Sequence, residues 1–161
     1  MTSVMRFWRG LSVGQRLPRP RSRLLRTICC TSGAQHILVL NVANIGIAPF
    51  VQGVGKPAIS AATLLSAAIN NGVEQAIPNF LQPQCLDAQF YVLDPFAIST
   101  AMFANPGSFD FADAEPCLEF GQIGNVICSN PDRKFFWDGI HPTRAGHAVI
   151  RTEALRLLTT S

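Results

Sequence analysis

Apolar positions along the chain fall into two alternating patterns. In "HILVLNVANIG" (36–46) they run unbroken from Ile37 to Leu40. The β-branched members suit a strand buried on both faces of a parallel sheet, expected over 36–43. Asn41, Asn44, Gly46 and Pro49 then mark a loop. In "KPAISAATLLSAAINNGVEQAIPNFL" (56–81) the spacing changes to that of a helix. Ala61, Leu64, Leu65, Ala68 and Ile69 form its apolar face, Ser60 is a candidate cap, and Asn71-Gly72 ends or bends it. "AQFYVLD" (88–94) is a second strand, rich in aromatic and β-branched residues, closed by Asp94 and Pro95. Strand, helix and strand at this spacing predict a right-handed crossover. The stretch from about Thr100 to Arg133 reads as loop, punctuated by Pro106, Gly107, Pro116, Gly121, Gly124 and Pro131. A last helix begins after Thr143, with Ala145, Ala148, Val149, Thr152, Leu155 and Leu158 on its inner face.

Composition refines this picture without changing it. The chain has 161 residues, 48% of them hydrophobic. That is enough for one domain with a core, and it is not the composition of a disordered chain. No run of eighteen apolar residues occurs, so no membrane-spanning helix is expected. The net charge of +3 conceals an asymmetry. Seven arginines (Arg6, Arg9, Arg16, Arg19, Arg21, Arg23 and Arg26) precede residue 30, and the first acid is Glu74. Beyond residue 30, six cations face ten acids, so the body is mildly acidic. Residues 1–30, with Pro18 and Pro20 breaking any helix, read as a disordered or artefactual Arg-rich leader. A transit peptide shares that composition but should be amphipathic, and a secretory signal needs an apolar core that this stretch lacks. No recognition module accompanies the arginines, so no nucleic-acid partner is expected.

Cysteine offers a hint of compartment. Cys117 and Cys128 lie eleven residues apart in the irregular stretch. A bridge between them would close a short loop, add about 2–3 kcal/mol by the chain-entropy relation, and suit an oxidising compartment. Two buried free thiols are the alternative. The five cysteines lack the paired spacings of a zinc site. His141 and His147 do not share a helical face and have no obvious third ligand, so neither metal nor cofactor is expected.

The candidate chemistry sits in "FFWDGIHPTRAGH" (135–147). An aspartate three residues before a histidine, Asp138 and His141, can hold the imidazole in one tautomer if the turn between them brings the carboxylate to Nδ1. Gly139 favours such a turn, Pro142 stiffens its exit and Thr143 can cap the helix beyond. A turn that merely caps the helix gives the same spacing.

The block closely resembles the last signature of the GDSL esterase/lipase family, within the SGNH hydrolase superfamily. There the Asp and His of D-x-x-H complete a Ser-His-Asp triad. "GAQHILVLNVANIGIAPF" (33–50) resembles the family's strand and following loop, with Ala43 where that pattern has Pro. "FYVLDPFAI" (90–98), "NPGSFDF" (105–111) and "PCLEF" (116–120) follow in the family's order, so similarity covers roughly residues 31–158. The resemblance implies an α/β class, a partial flavodoxin-like three-layer α/β/α sandwich (SGNH hydrolase-like). This chain would supply its last two parallel strands with their helices. It also implies that Asp138 orients and His141 acts as general base on an ester or lipid substrate.

The family's other blocks are missing. None of the ten serines lies in a G-D-S context, and Asn41 and Asn44 follow the wrong strand for the oxyanion asparagine. The nucleophile and oxyanion hole are therefore not encoded here. Residues 31–161 are expected to be the C-terminal portion of an SGNH/GDSL hydrolase domain, N-terminally truncated and inactive alone. A split enzyme complemented in trans and a non-catalytic binding or structural remnant are the alternatives. The partner would be the missing N-terminal half, or a second copy through the open sheet edge. Localisation is not fixed by the sequence.

Overall fold

The computed structural model describes residues 30, 32–120 and 124–160. The expected leader over 1–30 lies outside the described residues apart from Cys30. The account below concerns the unit formed by Gln35–Ser161.

The described residues form a mixed helix and strand architecture compatible with the α/β class. Strand β1 (His36–Leu40) leads through a short turn of 3-10 helix (Ile45–Ile47) to helices α1 (Pro49–Val54) and α2 (Lys56–Ala76). Strand β2 (Gln89–Leu93) follows and pairs parallel with β1, from His36 opposite Gln89 to Leu40 opposite Leu93. The two strands are shorter than the spans expected for them, 36–43 and 88–94. Asn41 ends β1 by turning its side chain onto Asp94, 2.7 Å away.

Helix α3 (Pro95–Ala104) starts on Asp94, whose carboxylate accepts from the amide of Ala97 at 3.1 Å. The stretch after it, read above as loop to Arg133, holds three short strands, and a fourth follows directly. β3 (Asp113–Pro116) pairs parallel with β6 (Lys134–Phe136), and β4 (Leu118–Phe120) pairs antiparallel with β5 (Asn125–Ile127). Strands of three or four residues between prolines and glycines carry too little periodicity to read from sequence. Helix α4 (Arg144–Thr159) closes the chain.

Helix α2 corrects two expectations. It begins at Lys56 after Gly55, with Ser60 inside it rather than capping it, and it runs straight through Asn71-Gly72 to Ala76. A π-helical turn (Ile77–Leu81) follows. The face it buries is also the opposite of the expected one. Ser66 and Asn70 are buried, whereas Leu64 is 70% and Leu65 58% exposed. The reason lies in the loop after β1. Its backbone is irregular and partly buried, so its amides and carbonyls need partners. Asn70 clamps Val42 from both sides, accepting from its amide at 2.7 Å and donating to its carbonyl at 2.9 Å. Ser66 Oγ accepts from the amide of Ile45, and Thr63 Oγ1 donates to Asn44 Oδ1. Thr63, Ser66 and Asn70, three and four apart, form one polar stripe facing inward. The apolar stripe is left outward, and among the described residues β1 pairs only with β2.

Helix α4 also packs differently from its expected inner face. Ala145, Val149, Ile150 and Leu157 are half-buried, while Leu155 is 55% exposed and Leu158 is exposed. The core lies at the N-terminal end of this helix. Ile47, Ala48, Met102, Phe111, Phe135 and Phe136 form it, with Val149 and Ala145 packed against it. Among the described residues no helix is long and apolar enough to cross a membrane.

Candidate active site

The D-x-x-H turn stands directly on this core. Phe135 and Phe136 are buried, with ring centroids 4.3 Å apart, so the strand entering the turn is anchored by its side chains. Two backbone hydrogen bonds close the loop across its base. The Trp137 amide donates to the His141 carbonyl at 2.8 Å, and the Thr143 amide to the Phe135 carbonyl at 2.9 Å. Thr143, buried, then caps α4. Its Oγ1 accepts from the Gly146 amide at 3.1 Å and donates to the Lys134 carbonyl at 2.7 Å.

Within that frame Asp138 and His141 lie side by side. His141 Nδ1 is 2.9 Å from Asp138 Oδ2 and 3.1 Å from Oδ1. Oδ1 also accepts from the amides of Ile140 at 2.8 Å and His141 at 2.7 Å. The turn is thus a local aspartate turn and an imidazole holder at once, so the two readings of the spacing do not exclude each other. Burial pushes the Asp138 carboxyl up, but the amide and ring of His141 and the amide of Ile140 outweigh it and bring the pKa down to about 2. A carboxylate ionised at neutral pH accepts and does not donate. Nδ1 is therefore the donor to it, which in a neutral imidazole leaves the lone pair on Nε2. The Asp138 side chain is 19% exposed and that of His141 72%. The carboxylate is sheltered and the imidazole is open.

Gly139 serves this turn by a route the sequence did not suggest. It is not in the left-handed region among the described glycines. A Cβ on Gly139 would instead lie 3.2 Å from Phe50 Cβ, and the Phe50 amide donates to the Gly139 carbonyl at 2.9 Å. Phe50, at the start of α1, is a contact that sequence reasoning missed, because nothing in its spacing points ninety residues ahead.

Cys117 and Cys128 are joined by a disulfide, with α-carbons 4.8 Å apart. The bridge ties the residue before β4 to the residue following β5, and the Cys117 amide donates to the Phe136 carbonyl at 3.0 Å. The Leu118 amide donates to the Trp137 carbonyl at 2.6 Å. The bridged hairpin thus holds the strand that delivers Asp138. Among the described residues no group of three His, Cys, Asp or Glu is placed to hold a metal ion. His147 lines a surface groove with Arg144 and Arg151, apart from the Asp138 pair. Arg144 is ion-paired with Asp132, which raises its pKa. Asn41 and Asn44, at the carboxyl end of β1, brace the loop. Asn41 Oδ1 accepts from the Phe96 amide, and Asn44 Nδ2 donates to Thr100 Oγ1.

No protein-family model matches the chain. It is similar to curated plant proteins. A GDSL esterase/lipase of Arabidopsis thaliana is 28% identical over 111 residues, 58% of this chain and 31% of that protein. A second GDSL esterase/lipase of the same plant is 26% identical over 151 residues, 85% of this chain and 40% of that protein. Its anther-specific proline-rich protein APG is 23% identical over 128 residues, 73% of this chain and 24% of that protein. These similarities support a GDSL-like relationship and an ester hydrolase family resemblance. The chain spans between a quarter and two fifths of the length of these relatives.

Proposed function

We propose that the chain carries the histidine–aspartate half of a Ser-His-Asp ester hydrolase, in the C-terminal portion of an SGNH-type α/β/α sandwich. The observation that carries this reading is the Asp138–His141 contact, which fixes Nδ1 as the donor and leaves Nε2 open to solvent. In the reaction, His141 Nε2 takes the proton of a serine hydroxyl as its oxygen bonds to the ester carbonyl carbon. The same proton goes to the leaving alcohol as the intermediate collapses. Water then repeats the sequence and releases the acid. Asp138 stays ionised throughout and stabilises the imidazolium.

The serine and the oxyanion donors belong, on this proposal, to a segment outside the present sequence, whether in the same polypeptide or another. The free side of β1 and the outward apolar stripe of α2 are the surfaces that segment covers. Two observations support this. β1 has one strand partner among the described residues, and the α2 stripe carries Leu64 and Leu65 in solvent.

Hydrolysis of short-chain nitrophenyl esters tests the proposal. The chain alone is expected to match its own His141→Ala variant. Adding a separately expressed G-D-S-bearing N-terminal portion of a relative should restore turnover, and only with His141 intact. An acyl adduct on any serine of this chain would overturn the assignment, because triad members act as a unit and the nucleophile cannot be absent from an active one.

A further inference from the structure

Beside the His141 turn lies a half-open apolar cavity of about 230 Å³. Its lining includes Val42, Ala43, Phe135, Phe136, Ile140 and Pro142. The last two are the residues on either side of His141. Asn44 and Ser99 also reach the cavity, but their polar atoms are engaged within the fold. Ser99 Oγ accepts from the Asn44 amide at 3.2 Å and donates to the Phe96 carbonyl at 3.2 Å. Asn44 Oδ1 accepts from the Gly46 amide at 3.0 Å. No ionisable side chain lines the space. Nothing in the wall asks for a polar ligand, and a charged one would lose its hydration without recompense.

We propose that this cavity seats the acyl chain of the ester and limits it to a medium-length, unbranched hydrocarbon. The identity of the head group rests on the ester-hydrolase reading; the choice of tail rests on the cavity alone. Ile140 and Pro142 flank His141 in the chain, so on this proposal the carbonyl end of the acyl chain lies toward the turn that carries the imidazole. Length follows from volume. One water takes about 30 Å³ of liquid, and a methylene is of similar size, so the space holds on the order of seven such units. It is smaller than the roughly 300–1,000 Å³ of sites that take drug-sized ligands. A long fatty chain would have to leave its far end in water.

The probe is a set of N-methyl amides of straight-chain acids of about four to fourteen carbons, which are neutral and resist hydrolysis, so that binding needs no nucleophile. Affinity for the full chain is read from backbone amide shifts on titration. It should rise about fourfold per added methylene, level off near eight carbons, and perturb Val42 and Phe136. Ala43→Phe, at an exposed position on the rim, should move the plateau to shorter chains. Ile140→Ala, also exposed, should weaken all lengths together, and it keeps the test alive should the first variant fold poorly. Affinity that climbs steadily to the longest amide, or that ignores chain length, overturns the proposal. So does a plateau unmoved by Ala43→Phe, or an affinity unchanged by Ile140→Ala at every length. Hydrolysis after complementation is a separate readout. Turnover without the amide plateau sinks the cavity and spares the triad, whereas the plateau without turnover does the reverse.

Discussion

The amide of Phe50 donates to the carbonyl of Gly139 at 2.9 Å, and this single bond moors the turn that carries Asp138 and His141 to the first turn of helix α1. The two backbones approach so closely that a Cβ on Gly139 would come within 3.2 Å of Phe50 Cβ. Gly139→Ala should therefore force one of them aside. The expected cost is about 1 kcal/mol, at the low end for overpacking because Phe50 itself is 66% exposed. Urea unfolding measures it. The ring protons of His141 should shift as well, because the turn moves with its mooring.

Asp138 makes stability depend on acid. Its folded pKa of about 2 lies below the ordinary value of 3.8. A depressed carboxylate contributes stability that is present above about pH 4 and is lost as pH falls through 2. The shift corresponds to at most about 2 kcal/mol, and the solvent around His141 lowers that figure. Comparing urea midpoints of the parent and Asp138→Asn between pH 6 and pH 2 isolates the effect. The gap between them should close as the pH falls. A gap of constant size would mean that the carboxylate's charge has no part in holding the turn.

The bridge between Cys117 and Cys128 should stabilise the chain by about 2–3 kcal/mol, since it closes a loop of only eleven residues. Its effect should also be felt at the site. The hairpin it ties donates two amides to the strand before Asp138. Reduction, or Cys128→Ser, should speed hydrogen exchange at the amides of Cys117, Leu118 and Trp137 more than at those of β2. Equal acceleration everywhere would point to global loosening instead.

Thr143 caps α4 and bonds back to Lys134 from a buried position. Thr143→Ala removes both contacts and leaves the Gly146 amide without its acceptor. A loss of about 1–2 kcal/mol is expected in thermal or urea unfolding. Thr143→Ser, which keeps the hydroxyl, should recover most of it.

The side of β1 that has no strand partner among the described residues, and the apolar stripe of α2, should make the isolated chain self-associate as its concentration rises. Leu64→Lys with Leu65→Gln should reduce that association, measured by sedimentation, and leave the circular dichroism spectrum in place, since both positions are exposed.

Much of this chain was legible as a sequence because the signals were local. The runs around Ile37–Leu40 and Phe90–Leu93 each fit a single strand, although β1, expected to be buried on both faces, holds no buried residue and Leu40 is 52% exposed. Thr143 carries its helix start within three residues, whereas the helix that begins at Pro95 was not expected. The Asp138–His141 contact is equally local, since the aspartate reaches only the next turn of backbone. These features depend on hydrogen bonds and dihedral limits that neighbouring residues settle among themselves. Which face of α2 turns inward did not follow from its own pattern. Leu64 and Leu65 argued for one side. The buried loop backbone at Val42 and Ile45, with no partners of its own, required Ser66 and Asn70 on the other. The mooring of Gly139 by Phe50, the short strands between Asp113 and Phe136, and the cavity beside His141 are likewise tertiary. Each joins residues that share no periodicity, and only the need to satisfy buried amides and fill space around Phe135 and Phe136 decides which of them meet.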